Sequence, residues 1–284
     1  MAAEAALARP AVVRPSALDR REHRSFLADV VIDHGPRDVL GRLFLAADTA
    51  LREKGMLVSF VDFDELLAVN RANPDSWPPI VPIFDPTVSD INRRNAFALV
   101  GRDMSGRPVW AHASRHYSLG GVTLKEKIES LDLFYRDPKA SAWPGEAAVC
   151  SAPIANEARG EVSCIGAAWL HPEWRGRGIQ ELTRPIQRAI TFTRWHPDLI
   201  FSFMSHQLIK AGYGASSRLH IDSDVQLINS PVKRAGTYHG AIVWIRREEQ
   251  VAQFPQYLAE ISAGANAQVD GSVLERPGDK KLAV

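Results

Sequence analysis

Apolar residues recur along the chain with two different periods, and the changes of period mark out its elements. Val39, Leu40, Leu43, Phe44, Ala47 and Leu51 fall three or four positions apart between Arg37 and Lys54, with Gly55 at the stop position. That spacing predicts an amphipathic helix. Met56–Val61 is a continuous apolar run of strand length, and Asp62–Asn73 returns to helical spacing with Asp62 or Asp64 placed to cap its first free N–H groups. Pro74, Pro78, Pro79, Pro82 and Pro86 then force an irregular connection. Ala96–Arg102 and Pro108–His116 are apolar runs joined by the polar turn Asp103-Met104-Ser105-Gly106-Arg107, which predicts an antiparallel hairpin.

Thr123–Tyr135 reads as a helix, with Thr123 as cap and Leu124, Ile128, Leu131 and Phe134 on one stripe. A loop carrying Pro and Gly leads to Ala147–Ala152, and Glu161–Leu170 is a further apolar strand. Beyond it the spacing predicts a helix over Ile179–Arg194, a strand over Asp198–Met204, a short helix over Ser205–Ala211, a closing strand pair and a last helix near Glu248–Ile261. Pro185 lies inside the first of these helices and is expected to kink it or to confine its regular part to the residues that follow.

Composition narrows the function. The chain has 284 residues, 45% hydrophobic and 24% charged, enough for a sizeable core, and nowhere approaches 18 consecutive apolar positions. A membrane-spanning protein is therefore not expected. Thirty-four Lys and Arg against 33 Asp and Glu leave a net charge of +1, so no global field draws the chain to nucleic acid or to a membrane surface. The Ala-rich start carries Glu4, Arg9 and Arg14 without the pattern of a secretory leader, and the two cysteines, Cys150 and Cys164, are too few for a disulfide framework. A reduced, cytoplasmic setting is the expectation. Residues 1 to about 24 and 264–284 have the composition of frayed ends.

The chemistry concentrates in one stretch. Residues 161–179 read as a buried strand, a Pro stop at Pro172, the turn Arg175-Gly176-Arg177-Gly178, and a helix start at Ile179. Glycines without Cβ allow successive backbone N–H groups to point into one concavity, and the following helix adds the positive end of its dipole. Two arginines can add charge-assisted hydrogen bonds. This is a cradle suited to a pyrophosphate.

The segment Arg175-Gly176-Arg177-Gly178-Ile179-Gln180 resembles the acetyl-CoA-binding loop of the GCN5-related N-acetyltransferase superfamily, Arg/Gln-x-x-Gly-x-Gly/Ala, which follows that family's fourth strand. Five positions fit, and Gln180 stands where a small residue is expected. The resemblance covers about residues 56–247 and implies a mixed α/β fold of that type. Residues 1–55 would form a partly helical N-terminal extension, and 248–284 a C-terminal helix and tail. It implies acetyl transfer from acetyl-CoA to an amine on a small-molecule acceptor, with neither nucleic acid nor membrane as partner and with room for a homodimer.

It further implies a fourth strand splayed from the fifth, with a backbone N–H near Leu170 donating to the thioester oxygen. Trp169–His171 would then line the reaction point. Leu208-Ile209-Lys210-Ala211-Gly212-Tyr213 resembles the next family motif, Tyr-x-x-x-Gly-Phe, but Leu208 occupies the place of the tyrosine that protonates the leaving thiolate. Tyr213 and His206 are the nearby substitutes, the first otherwise a core aromatic and the second a surface residue. His171 and Glu173 are the closest titratable groups for a base, and a strand-end role is the alternative for His171. Two other functions stay open: transfer of a longer acyl chain from acyl-CoA or an acyl-carrier protein, and acyl-CoA binding without turnover by a regulatory module.

Other constellations carry less. His112 and His116 share a strand face but stand roughly 13 Å apart, too far for one metal ion. Cys164, between apolar neighbours, reads as an inert buried thiol. The nucleophile elbow, the P-loop and the dinucleotide fingerprint are all missing from the sequence.

Overall fold

The computed structural model describes residues 24–213, 218–233 and 236–269. The frayed ends expected from composition fall almost wholly outside these residues. Helix α1 (Arg37–Glu53) forms where the periodicity placed it, with Leu40, Leu43, Phe44, Ala47 and Leu51 buried. Strand β1 (Met56–Val61) follows, then α2 (Phe63–Arg71), whose first turn is capped by the Asp62 carboxylate accepting from the Glu65 N–H at 2.8 Å. Strands β2 (Ala96–Asp103) and β3 (Pro108–Ser118) make the expected hairpin.

Four short elements then make a long insertion: α3 (Leu124–Glu129), α4 (Pro138–Ser141), β4 (Ala147–Cys150) and α5 (Pro153–Glu157). The chain continues through β5 (Glu161–Leu170), α6 (Ile179–Trp195), β6 (Leu199–Ser205) and α7 (His206–Lys210). It ends in β7 (His220–Ile228), β8 (Thr237–Arg246) and α8 (Arg247–Val269).

All eight strands form one sheet in the order β1-β2-β3-β5-β6-β8-β7-β4. Every neighbouring pair is antiparallel except β5 and β6, which run parallel because α6 crosses between them. The fold is thus the mixed α/β class expected, with helices on both faces. On one face α1, α6 and α8 pack Phe44, Leu51, Ile186, Ile190 and Phe254 against Leu99, Ile165 and Ile200. The segment ahead of β1 is therefore part of the core. On the other face α2, α3 and α5 cover Val100, Ala113, Cys164 and Phe201. Among the described residues no helix is long and apolar enough to cross a membrane.

Two elements depart from expectation. The helix expected over Thr123–Tyr135 stops at Glu129, although Thr123 and Glu126 form a complete capping box. Leu131 takes a left-handed conformation, and the chain turns so that Leu131, Leu133, Phe134 and Tyr135 are all buried. A continued helix would have left Leu133 off the apolar stripe, so the turn removes more apolar surface from water. The second departure is α6, which continues through Pro185, so its regular part is not confined to the residues that follow the proline. Proline forfeits one backbone hydrogen bond, at a cost of about 3 kcal/mol, but Pro185, Ile186, Ala189 and Ile190 are buried on a helix packed on two sides. Burial of that face offsets the loss.

Candidate active site

Strands β5 and β6 pair only from Val162 to Cys164 and from Leu199 to Phe201. Beyond those residues each stays with its outer neighbour, β5 with β3 as far as Leu170 opposite Trp110, and β6 with β8 as far as Ser205 opposite Gly240. A bulge on β5, where Ala167 takes φ +49°, adds to the divergence. A V-shaped slot opens between the two strands, edged by backbone groups that have lost their ladder partners. The His171 N–H donates to the Val109 carbonyl on β3 at 2.8 Å. Strand N–H groups alternate in direction, so that of Leu170 points away from β3, towards the slot.

The turn after β5 lies at the head of this slot. His171 caps the short helical turn Pro172–Trp174, its Nδ1 accepting from the Glu173 N–H at 3.3 Å. Trp174 is buried and carries the Arg177 guanidinium over its ring at 4.9 Å. Gly176 and Gly178 have φ of +73° and +68°, a region open to glycine and costly for other residues. Gly178 is also the N-cap of the 17-residue α6, which has no side-chain cap. Its first N–H groups therefore point out of the helix towards the turn.

A Cβ on Gly176 would meet nothing within 4 Å, and one on Gly178 would lie 3.8 Å from Glu181 Oε2 and 3.9 Å from Lys54 Nζ. The space over the glycines is thus open, with Arg175 and Arg177 exposed beside it and Lys54 reaching in from the end of α1. Ile179 is buried and anchors the helix, so only its N–H is on offer. The Gln180 amide oxygen is turned back along α6 towards Arg184, 3.4 Å away.

The remaining expected residues are divided between the two banks of the slot. His171 ends the β5 bank and lines a cavity of about 390 Å³ with Glu65 and Arg102. His206 and Tyr213 belong to the β6 bank. His206 opens α7 with Nε2 3.1 Å from Asp224 Oδ1 on β7. Tyr213, in the turn after α7, is 39% exposed, so its alternative reading as a core aromatic does not hold. Leu208, in the place of the family tyrosine, is 44% exposed.

Two features escaped the sequence reading. Tyr238 lies on β8 beside the end of β6, and its hydroxyl comes within 2.7 Å of the point a Gly240 Cβ would occupy, with the Met204 carbonyl oxygen 2.5 Å from the same point. Gly240 clears the room for that ring. Burial raises the Tyr238 pKa well above the usual tyrosine range, so the hydroxyl keeps its proton. A tyrosine two positions before a glycine in a strand shares its face, which is a signal the sequence did carry. The second feature is a cavity of about 440 Å³ over the face opposite α6, lined by Trp77, Asp85, Tyr135, Trp143 and Pro231 among others. Its walls come from four separated segments.

Metal and thiol chemistry gain nothing from the geometry. Among the described residues no three His, Cys, Asp or Glu side chains are grouped to hold a metal ion. Burial pushes the Cys164 thiol up to about 12.

No family model matches the chain, and no curated relative does. Among solved structures, a dodecameric spermidine N-acetyltransferase from Vibrio cholerae is similar over 69% of this chain and 96% of that one, at 8% identity and a TM-score of 0.42. The spermidine/spermine N-acetyltransferase of the same organism crystallised with manganese ions is similar over 70% and 97%, at 10% identity and a TM-score of 0.41.

Proposed function

We propose that the chain is an N-acetyltransferase that moves an acetyl group from acetyl-CoA to the amine of a small molecule. The observation that carries this reading is one of continuity: the slot-facing N–H of Leu170 and the glycine turn that opens an uncapped 17-residue helix lie on a single stretch of backbone. Phosphate recognition and carbonyl polarisation are thereby held in fixed register. Arg175, Arg177, Lys54 and the N–H groups of residues 176–180 would hold the pyrophosphate, and the edges of β5 and β6 the arm that follows.

Acetyl-CoA, when bound, supplies an activated acetyl group as its thioester. The chain has to exclude water, polarise the carbonyl and manage two protons. As the amine nitrogen bonds to the carbonyl carbon the C–S bond breaks, the nitrogen gives up a proton, and the departing sulfur takes one. Leu170 N–H is aimed to stabilise the carbonyl oxygen. His171, on the β5 bank, is the candidate to receive the proton from nitrogen. Tyr213, His206 and Tyr238, on the β6 bank, are the candidates to supply the proton to sulfur. The aliphatic side chain at Leu208 favours a second reading, a regulatory module that binds acyl-CoA without turnover. Transfer of a longer acyl chain from acyl-CoA or an acyl-carrier protein is a third, against which the two turn arginines count.

Calorimetric titration with acetyl-CoA, CoA and a longer acyl-CoA, followed by thiol release in the presence of an amine panel, separates these. The transferase reading expects acetyl-CoA binding and amine-dependent thiol release. Binding with no release for any amine supports the module, preference for the longer acyl-CoA supports the third reading, and no binding removes every reading that uses CoA and leaves only the acyl-carrier donor. Phenylalanine at Tyr213 and at Tyr238 identifies the acid as the position where turnover falls while acetyl-CoA affinity is kept.

A further inference from the structure

The cavity of about 440 Å³ is walled by α2 and the Pro-rich connection after it, by the insertion and by the β7–β8 connection, and one wall residue ties it to the end of β5. Trp77, only 5% exposed, stacks face to face on Trp169 of β5, the residue before Leu170, with centroids 5.2 Å apart and planes 5° from parallel. The Trp169 indole N–H donates to Ser76 Oγ at 3.1 Å, which fixes the pair. Pro231 comes from the β7–β8 connection. Because Ser205 at the end of β6 is paired with Gly240, the first residues of β8, Thr237 to His239, extend past the end of β6. The insertion supplies the outer wall: Tyr135, held by its hydroxyl donating to Glu146 Oε2 at 2.7 Å, and Trp143, 49% exposed at the mouth.

The chemistry of this cavity is that of flat rings and one anion. Trp143, half exposed, offers a broad ring face at the mouth, and the nearly buried Trp77 and Tyr135, with Pro79 and Pro82, make the apolar wall behind it. Asp85 is the single carboxylate in the lining. Its Oδ1 is occupied by the Thr87 N–H at 2.9 Å and the Thr87 hydroxyl at 2.6 Å, which orients the group and leaves Oδ2 without a hydrogen bond among the described residues. Among the described residues Arg71 is the only cation in the lining and Asp85 the only carboxylate, which suits a ligand with a single ammonium.

We propose that this cavity is the acceptor site and that the acceptor is a monoamine carried on an aromatic ring, its ring between Trp77, Tyr135 and Trp143 and its ammonium drawn in by Asp85. A linear polycation finds one carboxylate, faces Arg71, and leaves the ring faces unused. The inference rests on the transferase reading and adds to it the class of acceptor.

The test uses the whole chain with tryptamine as the probe and spermidine as the contrasting amine. Tryptamine binding is followed by calorimetry without acetyl-CoA, and thiol release with it. The variants are Trp143→Ala at the exposed mouth and Asp85→Asn, with circular dichroism to confirm folding. The expected result is saturable tryptamine binding, thiol release with a KM for tryptamine raised at least tenfold in each variant, and an unchanged KM for acetyl-CoA.

Thiol release with tryptamine that is indifferent to both variants, or a preference for spermidine, overturns the acceptor assignment and leaves the transferase reading standing. Tryptamine binding that both variants weaken, with no thiol release and no acetyl-CoA binding, overturns the transferase reading and the acceptor role with it. Should Asp85→Asn fail to fold, Trp143→Ala decides alone, since its ring is half in solvent.

Discussion

Gly178 carries more of the proposed chemistry than any charged residue near it. It sits at φ +68°, it ends the turn, and it leaves the first N–H groups of α6 uncovered. A β-branched side chain there is strained by about 1–2 kcal/mol and would project towards Lys54 and Glu181. Gly178→Val is therefore expected to weaken acetyl-CoA binding by roughly tenfold or more. The same strain should lower the stability of the folded chain by about 1–2 kcal/mol without unfolding it, because the core anchor Ile179 is untouched. Calorimetry on the folded variant measures it; undiminished affinity would mean that the phosphates lie elsewhere. Arg175 and Arg177 are exposed on the same turn, so loss of either charge should weaken binding and leave it less steeply dependent on salt.

At the scale of elements, local signals and tertiary ones can be told apart. Thr123 accepts the Glu126 N–H at 3.1 Å, and the Glu126 carboxylate accepts the Thr123 N–H at 2.6 Å. Thr123→Ala should cost about 1 kcal/mol, read as a lower midpoint in urea with the slope unchanged; a loss near zero would mean that α3 is held by packing alone. The start of α3 was legible because a cap is local. Its end was not, since the left-handed turn at Leu131 answers to the burial of Leu133 and Tyr135 beneath distant elements. Pro185 misled for the same reason: its cost is local and its compensation comes from α1, α8 and the sheet. In the site, the glycine turn and the slot-facing Leu170 were readable from order and motif. The cavity was not, because Trp77, Tyr135, Trp143 and Pro231 meet only through the fold.

The whole molecule hangs on a sheet covered on both faces, and the polar groups trapped under α6 tie its stability to pH. His112 lies between β3 and α6, where Nδ1 accepts from the Ala113 N–H at 3.1 Å and faces the Gln187 amide. Gln187 and Thr191 in turn reach Ser114, so protonation of His112 would disturb a connected set. Burial, with Arg188 and Arg184 adding repulsion, lowers the His112 pKa from 6.5 to about 4. The unfolded chain thus takes up this proton near pH 6.5 and the folded chain only near 4. Stability is fully present above 6.5 and is lost as pH falls through that window, with a contribution on the order of 3 kcal/mol. His116 and His196 are shifted downward as well, chiefly by burial, and act in the same direction. The lowered carboxyls of Glu126, Glu129 and Glu249 add their loss below the usual carboxylate range. Urea unfolding between pH 7 and 4 should therefore show falling stability that begins above the carboxylate region, and His112→Gln, which cannot take the proton, should flatten the upper part of that fall. An unchanged slope in the variant would show that the ring titrates freely and that the polar set under α6 is open to water.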